Sequence, residues 1–411
     1  MPLDAIAMSV GGFPLRLYML PLGGLILFSL FTGVDRRRPS WILQLLAVHT
    51  VLILLSLSWT STFADTFQVA LGQVFLMLGL WALVRNAGQN FFGSNDLLRW
   101  FLVGLVGSAG IAVLQVVLYY SVGLNLGVWA TIVNAPWVRP NGLTAEPVWA
   151  GLNASLGLVI VVSNWRQQRR RITLLVLFSV VLVLAFSRAA LLATLVAVAL
   201  MGALRIRHLS SSQFSKAVAG ALVVVAGAAA LVPIALQVLP SGLLQRFDIS
   251  AALGEDRVSV DQGSLDSRLG IYRLILDKWV DAPLLGHGGG SLAQAAVDAS
   301  NVATYLGSGE LNAGRGSTNL FLTNLYDLGV IGLALIGLVA AGFAYTGLRM
   351  ARSNLTPLGL ATVMTLQYLS ANGFRLGVTW VVFSILIVAW LEHRLDHRRD
   401  PTVSMSLRGF S

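Results

Sequence analysis

Residues 98–121 read LRWFLVGLVGSAGIAVLQVVLYYS, an apolar run whose single charged residue is Arg99, near its start. A membrane-spanning helix needs about 20 mainly apolar residues, so this run predicts one. Similar runs recur in a chain that is 56% hydrophobic and 11% charged, with a mean hydropathy of +0.76. They predict an all-α polytopic integral membrane protein with about 11 (10–12) transmembrane helices. The predicted spans lie near residues 14–34, 41–60, 67–84, 98–121, 148–164, 172–187, 189–204, 217–239, 319–347, 355–371 and 376–391.

Lysine and arginine gather in short tufts between these runs, and the net charge is +10. The positive-inside rule assigns such tufts to the cytoplasmic side, which predicts a cytoplasmic C-terminus and an outward-facing N-terminus. This distribution argues against nucleic acid as a partner. The tufts are DRRR (35–38), WRQQRRR (165–171), RIRH (205–208) and HRLDHRR (393–399).

Three further features narrow the class of protein. The chain has no cysteine, which excludes disulfides, thiolate metal sites and cysteine nucleophiles. Its first residues lack a basic segment followed by an apolar core and a cleavage site, so no removable signal peptide is expected. The glycine-rich stretch PLLGHGGGS (283–291) lacks the GK[ST] ending of a P-loop and predicts a tight turn instead of a nucleotide site.

Two long connections fall on the predicted outer face, at residues 122–147 and 240–318. We interpret residues 1–411 as a single membrane domain, in which residues 240–318 form a large extracytoplasmic loop that contains helices and carries part of the active site. The cytoplasmic connections are short and basic. Function is therefore expected on the outer face.

Several arginines break the positive-inside rule because they fall on this face. An arginine within a spanning helix costs about 2.5–3.5 kcal/mol at the helix centre, and less near the ends, which suggests a purpose. The alternative for each one is that it extends to the interface or pairs with a nearby carboxylate. These residues are Arg139, Arg188, Arg268, Arg273, Arg315 and Arg375.

The stretch DSRLGIYRLILDKWVDAP (266–283) has apolar residues at helical spacing and predicts an amphipathic helix in the outer loop. Arg268 and Tyr272 share one face of it, and an arginine near a helix N-terminus favours an anionic ligand. Arg273 and Asp277 have the spacing of a surface ion pair. Beyond this loop, Asn319, Asn324 and Asp327 are expected to face the bundle interior or a water-filled cavity.

Four motifs in this order resemble the O-antigen ligase and O-antigen polymerase (Wzy-like) superfamily. They are RPNGLTAEP (139–147), SRAA (187–190), SRLGIYRLILDKWVDAPLLGHGGGS (267–291) and STNLFLTNLYDLGVIG (317–332). The resemblance implies a GT-C-like, metal-independent glycosyltransferase without a cofactor, which uses a glycan carried on undecaprenyl diphosphate. It also implies that Arg188 and Arg268 hold the lipid diphosphate. Arginine suits this role because its planar guanidinium binds phosphate oxygens in pairs.

The sequence departs from the ligases of this superfamily at one position. They carry a histidine just before the asparagine that corresponds to Asn319, whereas Ser317 and Thr318 precede it here. The acceptor proton would then go to Glu146, to another group or to water. That other group could be His287 or Glu310. A histidine in a glycine turn, such as His287, more often has a structural role. This departure favours a polymerase over a lipid A core ligase.

The leading hypothesis is therefore a polysaccharide polymerase of a bacterial inner membrane, with its active site facing the periplasm or the outside. Its partners would be an undecaprenyl-diphosphate-linked oligosaccharide, membrane lipid, a chain-length regulator and a flippase. The alternatives are an O-antigen ligase and, since an arginine-lined cavity could also carry an anionic substrate without reacting with it, a transporter or flippase of an anionic lipid-linked sugar. Catalytic roles are predicted for Arg188, Arg268 and Glu146, and substrate contacts for Arg139, Tyr272, Arg273, His287, Arg315, Asn319 and Arg375.

Overall fold

The computed structural model describes residues 7–10, 13–16, 18–31, 40–88, 91–126, 129–130, 138–144, 146–165, 170–206, 260–300, 319–374 and 376–399. Within these ranges the chain is mainly helical. The helices are α1 (Met19–Phe31), α2 (Trp41–Leu55), α3 (Phe63–Gly88), α4 (Ser94–Val122), α5 (Pro147–Ser163), α6 (Arg171–Leu184), α7 (Arg188–Ile206), α8 (Val260–Trp279), α9 (Ser291–Ser300), α10 (Leu320–Met350), α11 (Thr356–Tyr368) and α12 (Gly377–Arg399).

The strands in the described ranges are short and peripheral. β1 (Ala7–Val10) pairs antiparallel with β2 (Phe13–Arg16), and β3 (Trp129–Ala130) pairs antiparallel with β4 (Val138–Arg139). Each pair forms a two-stranded ribbon. The predicted all-α class is confirmed.

Six helices of the described part are long and apolar enough to cross a membrane, namely α2 with the 3₁₀ turn Ser56–Ser58 that continues it, α3, α4, α7, α10 and α12. The apolar helices α1, α5 and α6 are shorter. The molecule is a multi-pass membrane protein. The count of about eleven spans stays a prediction, and the predicted span 217–239 lies outside the described residues.

Helix α7 illustrates how the bundle packs. Its small residues Ala190, Ala193 and Ala197 are fully buried, whereas Leu192 and Leu195 are 61% and 66% exposed. Lipid tails are as apolar as helix side chains, so the hydrophobic effect does not drive helices together in a membrane. Small residues favour association there because they let the helix backbones approach closely. The alanine face of α7 therefore packs inside the bundle and the leucine face is suited to lipid.

Helix α10 is broken at Gly329, whose φ of 65° and ψ of −162° are not helical. A straight helix would separate Leu320 from Phe343 by about 35 Å at 1.5 Å per residue. Instead, both side chains line one cavity together with Ile336 and Tyr368. The segment before the break therefore folds back against the segment after it. The predicted single span 319–347 is in fact a helical hairpin.

Candidate functional site at one end of the bundle

A buried loop, residues 138–144, forms the first part of the site. It follows α4 in the chain but packs back against the side of that helix. The Gln115 side chain holds it: Oε1 accepts a hydrogen bond from the Gly142 N–H (2.9 Å), and Nε2 donates to the Gly142 carbonyl (3.2 Å). Ser108 Oγ accepts from the Leu143 N–H at 3.3 Å. These partners allow a polar backbone to be buried in a membrane bundle.

The loop lies well below the ends of the long helices α2 and α4 on this side of the bundle. Ser108, which it contacts, stands about 21 Å from the end of α4 at Val122, at 1.5 Å per residue. The loop 369–374 is similarly low relative to α2. Its Phe374 ring lies 5.2 Å from the His49 ring, and α2 continues about 9 Å beyond His49. We call this lowered region the recess. It is bordered by the loop 138–144, the α6–α7 turn (185–187) and the loop 369–374.

The α6–α7 turn brings two of the predicted arginines to the recess. Arg139 Nε donates to the Ala185 carbonyl at 2.9 Å. Phe186 has a φ of 47°, a left-handed conformation that makes the turn sharp. Ser187 Oγ accepts from the Ala190 N–H at 3.3 Å, and Arg188, exposed to solvent, is the first residue of α7. Arg139 and Arg188 therefore lie at the same turn.

Glu146 stands at the N-terminal end of α5, beside the same turn. A Cβ atom placed on Gly151 would lie 2.9 Å from the Cβ of Ser187, so the start of α5 packs directly on the turn. The Glu146 side chain does not cap the helix, and the residue is half-buried. Its carboxylate is therefore not committed to holding α5.

The loop 369–374 closes the third side of the recess. A Cβ atom on Gly373 would lie 2.7 Å from the Trp149 ring of α5. Thr379 Oγ1 donates to the Gly373 carbonyl (2.6 Å), and Trp380 Nε1 donates to the Phe374 carbonyl (2.7 Å). These bonds fix the loop on the start of α12. Arg375 itself lies outside the described residues.

In the described part of the chain, four helical segments begin beside the loops that border the recess: α5, α7, α12 and the first half of α10. In the last of these, Asn319 Oδ1 caps the helix by accepting from the N–H groups of Phe321 (2.9 Å) and Leu322 (3.1 Å). The N-terminus of a helix carries partial positive charge and favours anions. The recess therefore combines helix N-termini with the Arg139 and Arg188 side chains, which suits an anionic ligand.

Helix α8 packs on the first half of α10. Its buried residues Ile271 and Ile275 contact Tyr326, with Leu322 packed beside them. Residues at this spacing form one face of the helix, as the amphipathic pattern predicts. Arg268 lies on α8, but its predicted contacts fall outside the described part of the structure, as does Arg315.

The other predicted ligands on α8 differ in exposure. Tyr272 is half-buried and Arg273 is exposed. Among the described residues, the predicted ion pair between Arg273 and Asp277 does not form; the salt bridge at this end of α8 joins Lys278 to Asp281 at 3.9 Å. Both partners of that bridge are exposed, so it contributes about 0–1 kcal/mol. Arg273 stays a predicted substrate contact.

His287 holds the glycine turn in place. Its ring nitrogen Nε2 lies 2.9 Å from the Lys278 carbonyl, and its backbone N–H donates to the Tyr326 carbonyl at 3.0 Å. The imidazole also packs on the Tyr326 ring, with centroids 4.6 Å apart. These contacts favour the structural role of His287, and its predicted substrate contact remains untested. The predicted tight turn is confirmed by the positive φ angles of Gly286, Gly288 and Gly290.

Sequence reasoning gave no role to His49, which is buried in the middle of α2. His49 Nε2 donates to Asn324 Oδ1 at 2.7 Å, because the Asn324 amide nitrogen already donates to the Leu320 carbonyl. This bond ties the folded-back half of α10 to α2. The signal was available in the sequence, since a lone histidine within a spanning helix is costly and usually has a partner. Asn324 and Asp327 are buried, as predicted.

We expect that Gln115→Leu will loosen the buried loop 138–144. The change leaves the Gly142 N–H and carbonyl without their partner, and each unpaired buried group costs about 1–3 kcal/mol. Amide hydrogen exchange of the loop should rise at least about tenfold. The neighbouring Leu114, half exposed on the other side of α4, gives the control Leu114→Ala. Unchanged exchange in Gln115→Leu would contradict the role assigned to this side chain.

These features define a class: a multi-pass membrane protein with an arginine-bearing recess at one end of its bundle. Within the described ranges, no three metal-ligating side chains come together. Residues 172–337 match the family described as O-antigen ligase. The resemblance drawn from the motifs is thereby confirmed, because this match supports the O-antigen ligase and polymerase superfamily.

The matched region and the recess overlap in part. The match contains Arg188, Arg268 and the glycine turn, whereas Arg139, Glu146 and Arg375 lie outside it. No curated protein matches the chain. The family therefore supports an activity of the O-antigen ligase and polymerase type.

Proposed function

We propose that the protein is a polysaccharide polymerase that transfers a glycan from undecaprenyl diphosphate to a sugar hydroxyl of another lipid-linked unit. The observation that carries the proposal is the Arg139–Ala185 hydrogen bond, which brings Arg139 to the turn that presents Arg188. Two guanidinium groups beside several helix N-termini suit a diphosphate, which offers many acceptor oxygens. Arg268, Arg273, Arg315 and Arg375 are further candidate ligands for phosphate or an acidic sugar.

In this reaction the bond between the anomeric carbon and the diphosphate oxygen breaks, and a bond to the acceptor oxygen forms on the opposite face. The anomeric centre is thereby inverted. The departing diphosphate keeps the bonding electrons, so negative charge grows on it as the transition state is reached. Arg188 and Arg268 would stabilise that charge more strongly than the charge of the ground state, which is the requirement for catalysis.

The acceptor hydroxyl must lose its proton during the transfer. Glu146 is the candidate base, because its half-buried carboxylate stands at the edge of the recess and does not cap α5. A carboxylate accepts this proton most readily as the glycosidic bond forms. Tyr272 is assigned to sugar stacking or hydrogen bonding.

The choice of polymerase over ligase rests on Ser317 and Thr318, which stand where ligases carry a histidine. The competing function is a ligase that moves the glycan to lipid A core or another acceptor. We place the reaction on the outer face of a bacterial inner membrane, because α5 and α7 begin at the recess and run toward the basic stretches 165–171 and 205–208 of the sequence. A flippase would deliver the donor to that face, and a chain-length regulator would end the polymer.

The test is an in vitro reaction of the purified protein in detergent with a lipid-diphosphate-linked oligosaccharide, in EDTA and without nucleotide. The expected result is a ladder of longer glycans. Failure to form a ladder with donor alone, but transfer when lipid A core is added, would replace the polymerase by a ligase. Omission of EDTA serves as the control for metal dependence.

A further inference from the structure

The break in α10 is filled by a segment from the outer loop, residues 283–291. The Gly288 N–H donates to the Asp327 carbonyl (2.8 Å), and the Val330 N–H donates to the Pro283 carbonyl (2.9 Å). These bonds replace helical bonds that the break at Gly329 removes. The glycine turn and the folded-back half of α10 are therefore built as one unit.

The Asp327 side chain completes this unit, and it is 5% exposed. Its Oδ2 accepts from the Gly290 N–H at 2.8 Å, and its Oδ1 accepts from the Leu292 N–H at 3.1 Å and from Ser291 Oγ at 3.4 Å. Both carboxylate oxygens thus receive backbone N–H groups at the start of α9. Hydrogen bonds to a charged acceptor are about twice as strong as neutral ones.

The unit is linked to α8 as well. Ile271 and Ile275 of α8, Leu292 of α9 and Tyr326 of α10 form one buried apolar cluster. The residue next to Tyr326 is Asp327, so the carboxylate and the cluster hold the same point of α10. At its other end, this half of α10 begins beside the recess.

From this arrangement we infer that Asp327 is a positioning residue: it fixes α8, and with it Arg268, on the membrane bundle at the distance that glycan transfer requires. The inference rests on the proposed function. The Asp327 carboxylate binds the backbone at the start of α9. Its effect on the reaction would pass through the turn 283–291 and through α8.

Asp327→Asn is a sharp probe of this role. Asparagine keeps one acceptor oxygen but points an NH₂ group at the second backbone N–H, so one of the two bonds is lost and two donors face each other. We expect kcat for glycan transfer to fall about tenfold, because one charge-assisted bond is lost. KM for the lipid-linked donor should change less than twofold.

A double-mutant cycle with Arg268→Ala separates positioning from general stabilisation. If Asp327 acts through Arg268, then Asp327→Asn will cost little further activity in the Arg268→Ala background. Equal fold losses in both backgrounds, or unchanged kcat in the single variant, would overturn the inference. Asp298→Asn is the matched control, since this exposed carboxylate lies on α9 and accepts a hydrogen bond from Gln294 one turn before it.

Amide hydrogen exchange supplies a readout that does not depend on glycan transfer. Exchange over residues 270–300 should rise in Asp327→Asn and stay at the wild-type level in Asp298→Asn. If the wild type transfers no glycan, the proposed function fails, while exchange still decides whether Asp327 holds α8. Unchanged exchange would overturn the positioning role in either case.

Ser56→Ala is a milder second variant in case Asp327→Asn does not fold. Ser56 Oγ accepts from the Gly289 N–H at 3.0 Å, so its removal loosens the same turn from the side of α2. The expected effects are a smaller loss of kcat and the same dependence on Arg268. A loss that is independent of Arg268 would overturn the inference.

Discussion

Arg188→Ala should reduce glycan transfer by about ten- to a hundredfold or more. Charge-assisted hydrogen bonds to phosphate contribute about 1.5–3 kcal/mol each, and every 1.4 kcal/mol changes a rate by a factor of ten. The loss should appear mainly in kcat, because the charge on the departing diphosphate is greatest in the transition state. The measurement is the initial rate of transfer by purified protein at several donor concentrations.

Two variants control this result. Arg188→Lys keeps the charge but loses the planar pair of donors, so its activity should fall between those of the wild type and Arg188→Ala. Arg205→Ala removes an exposed arginine from the opposite end of the same helix and should retain wild-type activity. A folded Arg188→Ala protein with at least half the wild-type rate would contradict the assigned role.

Gly329→Ala should destabilise the protein by about 3 kcal/mol or more. The backbone angles of Gly329 lie in a region that only glycine adopts readily, which costs other residues about 1–3 kcal/mol. A Cβ atom there would also lie 2.3 Å from the carbonyl carbon and oxygen of Leu284, a backbone clash. Overpacking of this kind costs about 1–3 kcal/mol more.

The matched control for Gly329→Ala is Gly337→Ala, two turns further along α10. A Cβ atom at Gly337 meets nothing within 4 Å, so alanine should be neutral or stabilise the helix by about 0.5–1 kcal/mol. Thermal unfolding of the full chain in detergent, followed by tryptophan fluorescence, compares the two. Equal Tm values for both variants would show that the break at Gly329 does not exist in the folded protein.

Hydropathy located most helices because burial in lipid demands long apolar runs, and it also located the turn at Ser187. It could not locate the break in α10. The residues DLG at 327–329 look like an ordinary part of a spanning helix, and their partners in 283–291 lie about forty residues away in the chain. The hydropathy pattern of a segment carries no information about backbone hydrogen bonds to residues far away in the chain.

The arginines of the candidate site could be predicted from the sequence, but the contact that brings them together could not. Arginines on the predicted outer face are costly, so the positive-inside rule singled out Arg139 and Arg188. Their meeting at Ala185 depends on the buried loop 138–144. Gln115, a lone amide within an apolar run, was the one sequence signal for that loop, because a carboxamide in a spanning helix needs partners.

The central claim is that the donor's diphosphate leaves as each glycosidic bond forms. The most direct test is to count undecaprenyl diphosphate released per new glycosidic bond, using purified protein in liposomes with a doubly labelled lipid-linked oligosaccharide and EDTA. We predict a ratio of one, with release and bond formation falling together in Arg188→Ala. Passage of the intact labelled lipid across the bilayer without release of diphosphate would contradict the claim and identify a transporter.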